Sequence, residues 1–369
     1  MARVHSACGK LGTYDTVNLS TVSIFSTVIM DSKTFMEELI KRLAETWGPS
    51  GYEHRVRQVI RAEVESLADE VTVDPLGNLI CRVGSGGKRV MIAAHMDEIG
   101  VMATYREPTS GYLRFENIGG LLHTTLPGAR VEFEDGTIGT IGVHQQWGAA
   151  RKRVDTLENC FIDVDDGSDR AFQAGQPARF VGNVSRRGSR LFGRAMDDRV
   201  GCAVAIEAMR QLSGNTENEL YFVFTVQEEV GLRGAQVAAH AVQPDVGIAI
   251  DVTATGDEPH NHKMQVKLGG GTAIKVKDTG LVVPADLRDW MVDTATDREI
   301  PYQLELLKMG STDAARIQTA LSGVPSGAVS IPCRYVHTTA ETVDLGDVEA
   351  SVSLLVALLL EKIAFRKAA

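Results

Sequence analysis

Cysteine, basic charge and long apolar runs are all scarce in this chain of 369 residues, and each shortage removes a class of function. The five cysteines (Cys8, Cys81, Cys160, Cys202 and Cys333) are scattered, odd in number and never in CxxC spacing. That pattern argues against a disulfide framework and against structural zinc held by thiolates, and it fits reduced thiols in a cytoplasmic protein. No apolar run approaches the roughly 20 residues needed to span a bilayer. A formal net charge of −10 disfavours nonspecific binding to nucleic acid or to an anionic membrane. Internal repeats and low-complexity tracts are lacking as well.

What is present is ordinary globular material. Apolar residues make up 44% and charged residues 23%, and the length suffices for more than one domain with a sizeable core. Residues 1–30 differ in texture. They are rich in Ser, Thr and Val, and no basic region precedes a continuous apolar core, so a secretory signal fits poorly. We expect an extension outside the fold: either disordered, or upstream of a translation start at Met30. The second reading is favoured because Asp31-Ser32 opens a helical pattern.

From there, apolar residues at helical spacing predict helices over 35–47 and 52–67, separated by the break Gly48-Pro49-Ser50-Gly51. Strands are expected over 71–73, 78–83 and 90–94. Between about 105 and 187 the chain changes to short alternating segments punctuated by glycine, which reads as a compact β-domain. Apolar strands (220–226, 246–250) then alternate with helices (199–212, 232–240, 285–296, 348–363). Continuous apolar strands without period-two polarity indicate an α/β layer whose central sheet is covered on both faces. The β-segment therefore reads as an insertion, 105–187, that splits one α/β domain into 31–104 and 188–369.

The chemistry-bearing residues sit where these strands give out. His95 follows 90–94, Glu228 and Glu229 follow 220–226, and Asp251 follows 246–250. Ligand-binding groups of α/β sheets lie just beyond strand carboxyl ends. Each residue alone has a bland reading: a hydrogen-bonded structural histidine, or a capping or turn acid. Their joint occurrence, with Asp197 in Ala-Met-Asp-Asp-Arg and His337 in Tyr-Val-His-Thr-Thr, suggests a two-metal hydrolytic site. Asp97, two residues from His95, would face the same side in extended backbone and accept the ring proton turned away from a metal. Adjacent carboxylates at 228 and 229 are costly to keep ionised near a core unless a cation lies by them. In this pattern one would ligate and the other serve as general base.

These segments resemble those of the tetrahedral-assembly (TET) metallo-aminopeptidases, a family that includes glutamyl and deblocking aminopeptidases and members labelled endoglucanases. The matching stretches are Pro-Ser-Gly-Tyr-Glu at 49–53, Asp-Pro-Leu-Gly-Asn at 74–78 and Ala-His-Met-Asp-Glu-Ile-Gly at 94–100. Ala-Met-Asp-Asp-Arg-Val-Gly-Cys at 195–202, Gln-Glu-Glu-Val-Gly-Leu-Arg-Gly-Ala at 227–235 and Asp-Val-Thr at 251–253 follow. The series closes with Gly-Ser-Thr-Asp-Ala at 310–314 and Arg-Tyr-Val-His-Thr-Thr-Ala-Glu at 334–341. The resemblance runs from about residue 31 to 363 and is weaker between 145 and 157, where Arg151-Lys152-Arg153 reads as a solvated loop.

The resemblance implies a three-layer α/β/α domain with a central mixed sheet and an inserted, small, β-barrel-like domain. It implies that Asp197 bridges two divalent ions (Zn²⁺ or Co²⁺, or Mn²⁺), that His95 and Asp251 complete one set, and that Glu229 and His337 complete the other. Glu228 would be the general base, Asp97 the partner of His95, and the peptide between Asp197 and Asp198 cis. It further implies peptide substrates and a homo-oligomer, a dodecamer built from dimers through the β-insert, with no nucleic-acid or membrane partner. The expected activity is removal of single residues from peptide N-termini. Rival readings are a related dinuclear carboxypeptidase or deacylase, a metal-free glycosidase working through two carboxylates, and a non-catalytic scaffold.

Overall fold

A computed structural model of the chain describes residues 32–143, 156–164, 172–259 and 263–363. The extension expected over 1–30 and the basic run at 151–153 lie outside the described residues.

An eleven-stranded mixed sheet organises the larger part of the molecule. Its centre is parallel: Glu219–Thr225, Arg89–His95, Val246–Thr253 and Ser326–Arg334 lie side by side in that order. Antiparallel strands flank them, Leu79–Val83 and Glu70–Val73 on one side and Glu341–Asp344, Arg190–Gly193 and Ser185–Arg187 on the other. Thr272–Lys277 and Tyr302–Leu306 branch from Ser326–Arg334.

Strand Arg89–His95 shows why both faces are covered. Val90, Ile92 and Ala94 enter one core with the helices Ser32–Glu45, His54–Val64, Met196–Leu212, Ala285–Asp297 and Leu345–Leu360. Met91 and Ala93, pointing oppositely, enter a second core with the helices Arg233–Val242 and Asp313–Gln318. Period-two alternation inside a continuous apolar run thus builds the three-layer α/β/α architecture. Fully buried side chains such as Leu39, Ile40 and Leu43 each contribute about 1.5–3 kcal/mol. No helix among the described residues is long and apolar enough to cross a membrane.

Gly100–Arg106, Leu113–Ile118, Arg130–Phe133, Ile138–Val143, Cys160–Asp163 and Pro177–Phe180 close into a six-stranded antiparallel barrel. It has its own core of Val101, Leu113, Phe115, Val131, Phe133, Ile141, Ile162 and Phe180. Trp47 Nε1 donates to the barrel carbonyl of Glu132 at 3.0 Å, and Arg179 donates to the carbonyl of Glu45 at 2.5 Å. These bonds dock the barrel on the end of the first helix.

Several strands differ from the reading of the sequence. Gly100–Arg106 belongs to the barrel and Ser185–Arg187 to the large sheet, although the insert is expected over 105–187, and Thr272–Lys277, Tyr302–Leu306 and Glu341–Asp344 match no expected strand. The apolar run 246–250 ends at Asp251, yet the backbone stays in the ladder to Thr253 because Asp251, Val252 and Thr253 pair with Ser330, Ile331 and Pro332. Ser326–Arg334 was not anticipated as a central strand. Its Pro332 lacks the ladder donor that such a strand is expected to keep.

Candidate active site

The register of the parallel strands gathers the chemistry at their carboxyl ends. Thr225 pairs with His95, so Glu228 and Glu229 leave the sheet beside the imidazole. Two residues past the last Ala249–Ala93 pair, Asp251 comes level with His95. Asp197 arrives from the start of Met196–Leu212, where it and Asp198 depart from helical φ/ψ and the peptide between them is cis. His337 arrives from the connection between Ser326–Arg334 and Glu341–Asp344.

Every site residue singled out from the sequence is brought together here. His95 Nε2 lies 2.9 Å from Asp197 Oδ1, 3.9 Å from Asp251 Oδ1 and 4.0 Å from Glu228 Oε2. His337 Nε2 lies 3.3 Å from Asp197 Oδ2 and 3.2 Å from Glu229 Oε2. The two oxygens of Asp197 are thus turned toward two different imidazoles. Asp97 has more partners than expected. His95 Nδ1 faces its carbonyl oxygen at 3.2 Å and its Oδ1 at 3.4 Å. Its carboxylate also accepts from the backbone N–H groups of Glu228 and Glu229 and from Ser50 Oγ.

Residues that spacing did not mark hold this constellation. Glu341 accepts from the backbone N–H of Asp197 at 3.1 Å and of His337 at 2.9 Å. It thereby fixes His337 in a left-handed conformation, φ 63°, which a bulky side chain adopts only when held. Asp198 accepts from the N–H of His95 and of Gly201. Behind the site, buried Glu98 bridges the guanidinium groups of Arg194 and Arg199, which also bind the last carbonyls of the first helix. Removing one partner of such a buried ion network costs about 3–5 kcal/mol. The barrel contributes as well. A Cβ on Gly120 would sit 3.1 Å from His337 Nδ1, and one on Gly119, whose φ is +77°, would sit 3.2 Å from Glu229 Oε2. At Gly119 the positive φ suits glycine, and at Gly120 a side chain would press on the His337 ring.

The electrostatics are those of carboxylates crowded out of water. Burial pushes the Glu228, Glu229 and Asp251 carboxyls above the usual carboxylate range, with His95 opposing the shift for all three and His337 also for Glu229. Burial acts the same way on Asp97 and Asp197, but it is outweighed by hydrogen bonds, chiefly with His95 for Asp97 and with His337 and His95 for Asp197. Both carboxyls end below their ordinary values. For the histidines burial favours the neutral ring, yet the surrounding acids win. His95 is raised by Asp197 and Asp97, and His337 is pushed up to about 12 by Glu229 and Asp197.

Such a knot of acids calls for a cation, and three observations test the fit. Glu229 Oε1 is buried without a hydrogen-bond partner. Donor atoms of His95, Asp197 and Glu229, and separately of His95, Asp198 and Asp251, lie within 4.8 Å of one another. Imidazole and carboxylate at 2.9–3.9 Å bracket the edge of about 3.4 Å that a tetrahedron with bonds of about 2.1 Å requires. Both Asp198 oxygens are already engaged by backbone N–H groups, whereas the two Asp197 oxygens face imidazoles. The residues fit divalent metal. Asp197, Glu228, Glu229, Asp251 and His337 line one cavity of about 620 Å³, of the size that holds small ligands.

Comparison with known proteins agrees with this geometry. The family model for M42 glutamyl aminopeptidase matches residues 77–354. A lysyl aminopeptidase of Pyrococcus furiosus is 36% identical over 340 residues, covering 88% of this chain and 96% of the relative. The structure of aminopeptidase APDkam598 from the archaeon Desulfurococcus kamchatkensis superposes with a TM-score of 0.84 at 37% identity, covering 89% and 95% of the two chains. That of the Pyrococcus horikoshii TET1 peptidase, described as assembling into a tetrahedron or a large octahedral shell, gives 0.77 at 33% identity, covering 88% and 99%. A fold, a set of gathered acids and imidazoles and a family match over most of the chain converge, and this protein is a peptidase belonging to the M42 glutamyl aminopeptidase family.

Proposed function

We propose that this chain is a metal-dependent aminopeptidase that removes single residues from peptide N-termini. The observation that carries the reading is the division of Asp197, with Oδ1 toward His95 and Oδ2 toward His337. His95, Asp197 and Asp251 would hold one divalent ion, and Asp197, Glu229 and His337 a second. Bound there, such ions supply Lewis acidity to a scissile carbonyl and make a water acidic enough to attack near neutral pH. Zinc, cobalt and manganese all suit a mixed imidazole and carboxylate set.

Glu228 is left over from both sets and is the general base. Its carboxylate receives the proton of the attacking water and passes it to the leaving amine. Burial raises its proton affinity, which suits a group that must both take and give a proton near neutral pH. Asp97 orients His95 through Nδ1 and, by accepting from residues 228 and 229, keeps base and ligand in register. The family match and the aminopeptidase relatives favour aminopeptidase over carboxypeptidase action. Metal-loaded protein should hydrolyse aminoacyl p-nitroanilides and leave N-acyl amino acids and carboxymethylcellulose intact. Turnover confined to N-acyl amino acids would make it a deacylase, and turnover of cellulose a glycosidase.

In the same reading, the barrel inserted between Gly100 and Phe180, where the sequence suggests bounds of 105 and 187, is a dimerisation domain within one catalytic α/β unit. Dimers then occupy the six edges of a tetrahedron, giving a dodecamer. Size-exclusion chromatography with light scattering should report about twelve subunit masses, and a monomer would overturn this assembly. The four cysteines among the described residues are buried and unpaired, which supports a reducing, cytoplasmic setting.

A further inference from the structure

The cavity has walls as well as an acidic floor, and the walls speak to which peptides enter. Strand Tyr302–Leu306 alternates as it reaches the cavity. Glu305 turns inward and is fully buried, paired with Lys275 and accepting from Thr253 Oγ1 at 2.8 Å. Leu306, turned outward, lines the cavity with Leu307 and Met309. Leu306 is 58% exposed and Met309 63%, and apolar surface lining a concave site commonly marks where a ligand sits.

The polar side of the wall is equally informative. Among the described residues, no carboxylate other than those of the floor lines the cavity, and its cations apart from His337 are Lys263 and Lys308, both exposed. Glu305 is the acid nearest in sequence to the wall, but it is masked by Lys275.

We infer that the site selects peptides whose N-terminal side chain is large and apolar, such as leucine or methionine, and discriminates against basic ones. This rests on the aminopeptidase reading above, in which the floor receives the terminal amine and the Leu306–Met309 wall receives the side chain. A lysine or arginine side chain there finds no partner carboxylate and meets two ammonium groups, and an unpaired charge on an apolar wall is costly. A glutamate side chain finds only solvated lysines, whose ion pairs are worth little.

The experiment is a panel of Leu-, Met-, Ala-, Glu-, Lys- and Arg-p-nitroanilides with metal-loaded wild type, Leu306→Glu and Met309→Glu, with melting temperatures to verify folding. A methylene in an apolar pocket is worth about tenfold or more in kcat/KM. Leu and Met should therefore exceed Ala and Lys by at least about tenfold, with Glu between. Either variant should raise the Lys-to-Leu ratio about tenfold through the new carboxylate. Wild-type preference for Lys, Arg or Glu, or equal use of all, overturns the inference while leaving the aminopeptidase reading intact. So does an unchanged ratio in folded variants. Cleavage of no anilide, with hydrolysis of N-acyl amino acids instead, overturns the aminopeptidase reading and this inference with it.

Discussion

Replacing Glu228 by glutamine should lower kcat/KM by about 10²–10⁴, the range that general acid–base catalysis contributes, while metal content by elemental analysis stays at the wild-type level. The amide has the shape of the carboxylate but cannot take a proton from water. Folding should survive the change. Burial already disfavours the ionised carboxylate, and the backbone N–H of residue 228 keeps its bond to Asp97 Oδ1 at 3.0 Å. Glu229→Gln supplies the contrast. Its carboxylate faces His337 Nε2 at 3.2 Å and carries an unsatisfied buried oxygen, so metal content should fall along with activity. If Glu228→Gln retains activity within tenfold, or loses metal as Glu229→Gln does, the assignment of base and ligand is wrong.

Chelation should abolish activity, with recovery on adding Zn²⁺ or Co²⁺, and should destabilise the protein more as pH rises. Glu228, Glu229 and Asp251 have folded pKa values above their unfolded ones, so the metal-free fold holds extra protons and loses stability as pH rises from about 4 through those values. His95 and His337 are raised too, the latter to about 12. Their contribution is complete below about 6.5 and is lost as pH climbs through the folded values. Asp197, lowered, acts oppositely, but only as pH falls below about 4. Metal binding requires ionised carboxylates and neutral imidazoles and therefore strengthens with pH. The difference in melting temperature between loaded and chelated protein should widen from pH 5.5 to 8.5, reaching roughly 10 °C where the ions are bound tightly. A gap that stays constant or narrows over that interval would show that these groups do not hold the metal.

How much of this was legible beforehand can be judged residue by residue. The runs at 90–94, 220–226 and 246–250 were readable because a parallel strand buried on both faces is nearly continuous apolar sequence, so the acids and histidine that follow it stand out near its end, although Val246–Thr253 runs on past Asp251. That rule located His95, Glu228, Glu229 and Asp251 at one edge of one sheet. A compact β-domain was readable from short alternation and glycine, its barrel form only through the resemblance, and the family from motifs spread over most of the chain. Ser326–Arg334 escaped because Pro332 and its small residues resemble a loop. Glu341, Glu98 and the Arg194–Arg199 pair escaped for another reason. A buried charge looks no different in sequence from a solvated one, and its partner lies far along the chain.

Local composition thus determined which residues are able to bind a cation or move a proton, and that they stand at strand ends, because periodicity and burial are properties of short segments. Only the tertiary structure decided that Asp197 turns one oxygen to His95 and the other to His337, that Glu341 clamps both backbones, and that Gly119 and Gly120 of the barrel close on the pair. Apart from the Glu341–His337 bond, those relations join residues more than 100 positions apart. They are set by the register of parallel strands and by ångström-scale packing, neither of which any single stretch of sequence encodes.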